Sequence, residues 1–149
     1  MSTMSRRGAL TLGAGLTLSL IAVKEGRATP SEADAEIAKF TGGQPAESGK
    51  IAIDLPDIAE NGNTVPLSIK IDSPMSADDY VSDILIVTDG NPYPGVAKFQ
   101  LTPMSGRAEA ATRIRLNTTE NVIVVAKTST GKIFADRRLV KVTVGGCGG

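Results

Sequence analysis

Leu67-Ser68-Ile69-Lys70-Ile71 alternates apolar and polar side chains without a break, and a period of two marks a strand with one face in a core and the other in solvent. The same alternation recurs upstream at Ile51, Ile53 and Leu55, and downstream at Ile114 and Leu116, at Val122, Val124 and Ala126, and at Val140, Val142 and Val144. Ile84 to Val87 is a continuous apolar run suited to a central strand, and Phe99 with Leu101 marks one more. Turn chemistry separates these runs: Asn61-Gly62-Asn63, Asp72-Ser73-Pro74, Asp89-Gly90-Asn91-Pro92, Pro103 to Gly106, Asn117-Thr118-Thr119 and Thr128 to Gly131. About seven short strands at this spacing predict an all-β fold, an immunoglobulin-like β-sandwich, with a small barrel as the alternative.

Ahead of the strands, Ser31 to Phe40 predicts a short helix. Ser31 can cap it, Glu32, Asp34 and Glu36 suit the positive end of its dipole, and Ile37 with Phe40 forms an apolar edge. Gly42-Gly43 ends it. With two tyrosines, three phenylalanines and no tryptophan, the core must come from Ile, Val, Leu and Ala. Such a core is modest for two sheets and leaves room for a partner subunit over one apolar face.

Residues 1–28 read as an export signal. Ser5-Arg6-Arg7 is a twin-arginine n-region, Gly8 to Val23 is moderately apolar, and Gly26-Arg27-Ala28 offers small residues for cleavage after Ala28. The twin arginines Arg6 and Arg7, with Lys24 and Arg27 behind the apolar run, fit the twin-arginine route to the periplasm. Taking Arg6, Arg7, Lys24, Arg27 and Glu25 from 16 basic and 16 acidic residues leaves 12 and 15, a net charge of −3 for the processed chain. That balance, with no basic stripe carrying interleaved aromatics, argues against nucleic acid as a partner. It equally gives no reason for membrane attachment after processing.

The 149 residues contain no histidine and one cysteine. A Ser-His-Asp triad, a Cys-His pair, a Cys-x-x-Cys redox pair and the usual zinc sites are therefore excluded. Asp78-Asp79 with Asp83 is the nearest approach to a carboxylate cluster, and a solvated loop or strand entry explains it better than a bound cation. No metal or resident cofactor is expected. Arg113 and Arg115 flank Ile114 and so point away from the core. Arg137, Arg138 and Lys141 either protect an edge strand by charge or attract an anionic cargo. Tyr93, in Asn91-Pro92-Tyr93-Pro94, is a turn builder or an interface anchor.

The lone cysteine, Cys147, lies in the terminal run Gly145-Gly146-Cys147-Gly148-Gly149. Glycines on both sides make a thin, permissive arm; five extended residues reach about 16–18 Å, enough to pass a thiol into a narrow channel. A cargo-bearing or partner-attacking thiol fits these flanks better than an intermolecular disulfide or an unselected tail, and all three remain open on the residues alone.

The arm, the signal and the β-rich body together resemble the SoxY family, the sulfur-carrier subunits of the bacterial thiosulfate-oxidising Sox system. The resemblance rests on Val142-Thr143-Val144-Gly145-Gly146-Cys147-Gly148-Gly149, on Ile58-Ala59-Glu60-Asn61-Gly62-Asn63-Thr64-Val65-Pro66, on Ser73-Pro74-Met75, on the Asn91-Pro92 loop and on Thr112-Arg113-Ile114-Arg115-Leu116. It implies an immunoglobulin-like domain over residues 29–144 and a flexible carrier arm over 145–149. It further implies a periplasmic location and a tight heterodimer with SoxZ. The haem enzyme SoxAX would couple thiosulfate to the arm cysteine, SoxB would release sulfate, and a sulfane dehydrogenase (SoxCD), where present, would oxidise the remaining sulfur. Mapped onto this chain, Cys147 is the attachment point and Gly145, Gly146, Gly148 and Gly149 form its arm. The chain itself would have no catalytic site. A structural module whose terminal cysteine forms an inter-subunit disulfide is the alternative, and a thiol-dependent transferase is a third reading that requires a base near Cys147.

Overall fold

A computed structural model describes residues 30–146. The helix α1 spans Pro30–Thr41, and the strands are β1 (Ile51–Asp54), β2 (Ile58–Asn61), β3 (Val65–Ile71), β4 (Val81–Thr88), β5 (Gly95–Gln100), β6 (Glu109–Ile114), β7 (Glu120–Thr128) and β8 (Ile133–Val144). They form two packed sheets, a three-stranded one ordered β1-β3-β6 and a five-stranded one ordered β2-β8-β7-β4-β5. The expected sandwich is present, with eight strands among the described residues. All neighbours are antiparallel except β2 and β8, which run parallel.

Alternation places the core. Val65, Leu67, Ile69 and Ile71 of β3, with Ile114 and Leu116, face Ile84, Ile86, Val122, Val124, Ala126 and Val140 of the larger sheet. A bulge between Val81 and Asp83 shifts the register of β4 against β7, so Val81 and Ile84 both reach this core although they are three residues apart.

The run Ile84–Val87 is unbroken because both faces of β4 are covered. Leu85 and Val87 join Ile123, Val125 and Ile133 in a second cluster on the opposite side of the sheet, closed by Ile37 and Phe40 of α1. Lys98 Nζ stands 5.4 Å from the centre of the Phe40 ring. The helix begins at Pro30, so Ser31 lies inside the first turn and not at the cap. Proline suits that opening position because it has no N–H to leave unpaired.

Strand β2 pairs with β8 only from Lys141 to Val144, whereas Arg137 and Arg138 lie on the stretch that pairs with β7 alone. Arg138 ties that open side of β8 to the β1–β2 connection, with Nη2 2.9 Å from Asp57 Oδ1 and Nη1 donating to the Ile53 carbonyl at 3.3 Å. Asp83 faces Lys98 Nζ at 3.7 Å, while Asp79 closes a local turn with Ser76. Among the described residues no three of His, Cys, Asp or Glu gather as for a metal ion, and no helix is long and apolar enough to cross a membrane.

Candidate functional site: the root of the C-terminal arm

Strand β8 carries the chain past the end of the core. Val140 is fully buried, Val142 partly, and Val144 is 57% exposed, so the three valines face the core to falling degrees and not equally as the alternation predicts. Beyond Val144 the backbone is nonetheless held. The Gly62 N–H donates to the Val144 carbonyl at 2.7 Å, the Leu116 N–H to the Gly62 carbonyl at 2.8 Å, and the Gly146 N–H to the Leu116 carbonyl at 2.8 Å. Gly62 follows β2, Leu116 follows β6 and Gly146 follows β8. The three bonds therefore join strand ends from both sheets and close the sandwich at this end.

The ring is tight enough to dictate residue type. A Cβ on Gly146 would lie 2.8 Å from the Asn63 nitrogen and press on the Gly62 carbonyl; one on Gly62 would lie 2.9 Å from the Gly146 nitrogen; one on Gly145 would meet the Asn117 carbonyl. Contacts that short require the backbone to move. Gly146 is buried and Gly145 partly so. The first glycine pair of the terminal motif thus sits against the body, and close approach accounts for it. Cys147, Gly148 and Gly149 lie outside the described residues, as do Arg6 and Arg7.

A buried polar layer supports the ring from below. Glu120 is 2% exposed, and its carboxylate accepts the Gly90 N–H at 2.8 Å, the Asn117 N–H at 2.9 Å and, more weakly, the Thr118 N–H at 3.5 Å. Asn91 Oδ1 shares the Asn117 N–H at 2.9 Å, and Asn91 Nδ2 donates to the Arg115 carbonyl at 2.8 Å. Asp89 holds the other end of the turn through the N–H and side-chain amide of Asn121, both at 2.8 Å. The Thr119 hydroxyl accepts the Val142 N–H at 3.1 Å. The segment 115–121, which carries the Leu116 carbonyl, is therefore pinned on either side of it.

Burial pushes the Glu120 carboxyl above the ordinary carboxylate range, opposed by the N–H donors of Asn117, Gly90 and Thr118 and by the nearby Thr88 hydroxyl. That hydroxyl is buried without a well-formed hydrogen bond of its own, so its contribution is the weakest of the four. Gly90 has no room for a side chain: a Cβ there would lie 2.7 Å from Glu120 Cβ.

Several stretches singled out in the sequence meet here, namely Asn61-Gly62-Asn63, the Asn91-Pro92 loop, Arg115-Leu116 and the start of the terminal motif. The side chains of Arg115 and Thr119 are exposed, and Asn63 N–H donates to Asn61 Oδ1 at 2.9 Å in a local turn. Tyr93 is 82% exposed, away from the buried layer. Glu120 was not legible as a site residue. Its signal is the spacing Asn117-Thr118-Thr119-Glu120, in which a glutamate reaches back three residues to a backbone N–H as it does in a helix capping box.

A family model described as the sulfur oxidation protein SoxY matches residues 37–147. The chain belongs to the SoxY family. Among solved structures, the SoxY sulfur carrier protein from Chlorobium limicola f thiosulfatophilum is 36% identical, with a TM-score of 0.64 over 76% of this chain and 98% of that one. A superoxide reductase (neelaredoxin) variant from Ignicoccus hospitalis is 15% identical, with a TM-score of 0.57 over 76% of this chain and 92% of that one. A superoxide reductase-like protein from Thermotoga maritima is 14% identical, with a TM-score of 0.56 over 65% and 93%. The last two share the fold alone. No curated protein sequence matches the chain. The SoxY match ends at Cys147, so it takes in the first glycine pair, the root and the residue that follows them. Membership of this family supports a role in sulfur oxidation as a carrier.

Proposed function

We propose that this protein is a covalent sulfur carrier of periplasmic thiosulfate oxidation, holding its intermediates on the Cys147 sulfur and presenting them to successive enzymes. The observation that carries this reading is the SoxY match running to Cys147, directly after a glycine seated at the end of the sandwich. Export by the twin-arginine signal at Arg6 and Arg7, the SoxZ heterodimer and transient visits by SoxAX, SoxB and SoxCD belong to the same proposal.

The chemistry asks little of the carrier. Coupling the Cys147 thiol to thiosulfate makes one sulfur–sulfur bond and releases one proton and two electrons, which the haem enzyme takes up. Water then cleaves the bond to the terminal sulfonate, releasing sulfate and leaving a persulfide. A free thiol has a pKa near 8.5 and is mostly protonated at neutral pH, so the coupling enzyme must supply both base and oxidant, while the hydrolytic step needs no oxidant. With no histidine in the chain, the body offers little general base of its own. Tethering keeps small anions from diffusing away and raises their effective concentration at each active site.

Intact-mass analysis of protein purified from thiosulfate-grown cells, before and after reductant, tests the reading. Reductant-labile sulfur, thiosulfate or sulfonate additions localised to the peptide containing Cys147 are expected. A Cys147 that stays unmodified or only cross-linked to another subunit during active turnover overturns the carrier role in favour of a structural disulfide.

A further inference from the structure

We propose that the bonds linking Gly62, Leu116 and Val144–Gly146 are a clasp that fixes where the thiol-bearing terminus leaves the body, so that the carrier arm begins at Cys147 and not at Gly145. The inference deepens the carrier reading and rests on it for its functional meaning, though the clasp itself does not depend on that reading.

Three observations carry it. The Gly146 N–H is bonded to the Leu116 carbonyl at 2.8 Å, and Gly62 is bonded to both neighbours in the ring. Added side chains at Gly62, Gly145 or Gly146 would meet backbone atoms of the opposing strand ends, which cannot swing aside as a flexible side chain would. Finally, the loop bearing the Leu116 carbonyl is itself fixed by Asn91 and by the buried Glu120. Buried backbone groups released from such a ring without new partners carry a desolvation cost, which biases the ring to stay closed.

The consequence for cargo is geometric. A chain extends at most about 3.3–3.6 Å per residue beyond the last point at which it is held, and here that point is Gly146. The reach of about 16–18 Å that five free residues would allow is not available while the clasp is shut. An enzyme acting on Cys147 must therefore receive the end of the body, where Asn63, Thr64, Arg115, Thr119 and Val144 are exposed, at the mouth of its channel. Asn117 and Glu120 are positioning residues in this scheme: they act through the Leu116 carbonyl and touch no cargo.

Amide hydrogen exchange on the unmutated full chain is the primary test. The Gly62, Leu116 and Gly146 amides should exchange at least about 100-fold more slowly than in an unfolded chain; a Gly146 amide exchanging at the unprotected rate overturns the clasp. A nitroxide on Cys147 supplies a second readout. Gly146→Ala should sharpen its spectrum towards free tumbling, whereas Gly148→Ala should leave the Gly146 amide protected. Identical spectra for the parent and Gly146→Ala also overturn the proposal. Neither measurement needs a Sox enzyme, so a clasp found on a thiol that never takes up sulfur would retire the carrier reading alone, and sulfur uptake on an unprotected terminus would retire the clasp alone.

Discussion

At Glu120 a carboxylate is traded into the interior in exchange for holding a loop. Its two close N–H donors, on Gly90 and Asn117, would lose their charged acceptor in Glu120→Ala. The Gly90 N–H would then be left without a partner, a loss of about 1–3 kcal/mol. Because burial holds the folded-state pKa above the ordinary value, the folded protein keeps this proton to higher pH than the unfolded chain does. The contribution is thus fully present below the unfolded carboxylate pKa, about 4.3, and is lost as pH rises through the folded value. Glutamine cannot titrate. The melting temperature of the parent relative to Glu120→Gln should therefore be greatest near pH 4 and decline towards pH 7, as followed by circular dichroism at each pH; a difference that grows with pH would mean that the buried carboxylate is stabilised by its donors more than it is penalised by burial. Lys50 and Asp72, exposed and 2.7 Å apart, shift in the opposite sense for the acid, so that pair weakens as pH falls. At this scale the sequence singled out Cys147 as the candidate attachment point, because a thiol between glycines needs no fold to be noticed. It did not disclose Glu120 or the seat of Gly146, since which carbonyl a loop N–H meets depends on strand ends far apart in the chain.

Among the elements, those with a simple period were legible and those whose large side chain points outward were not. Strand β3 alternates buried and exposed residues along its whole length, and it could be read directly. Strand β2 escaped because Ile58 is 58% exposed while the smaller Ala59 is buried, the reverse of what a hydrophobic pattern signals; pairing with β8 at Ala59–Val142, not apolar content, makes it a strand. Strand β7 carried the right inward set, but Ile123 and Val125 also pack, on the other side, beneath α1. That makes the helix a cover for apolar strand residues. Phe40→Ala, which removes half of its apolar edge at a half-buried position, should cost about 0.8–1.5 kcal/mol, half the value for full burial, seen as a lower urea midpoint with an unchanged slope. No change in midpoint would show that α1 adds little to the stability of the sheet it covers.

For the molecule as a whole, the thiol and the fold are separable. Cys147→Ser should stop thiosulfate-dependent turnover completely while leaving the melting temperature within about 2 °C of the parent and SoxZ association intact, as judged by size-exclusion chromatography of the mixed subunits. A variant that unfolds or no longer associates would contradict a terminus dedicated to cargo. The converse does not hold, because β8 contributes the fully buried Val140 to the core and pairs with two other strands. Strand β8 is bonded to β7 over Ile133–Val140 and to β2 over Lys141–Val144, so the strand that leads to the thiol also completes the larger sheet. A product that ends before Ile133 leaves the β7 backbone from Glu120 to Lys127 without its β8 partner, an open edge exposed to proteolysis and aggregation. Copies that survive to serve as carriers are therefore selected, by folding alone, for carrying β8, the strand whose end leads to the thiol.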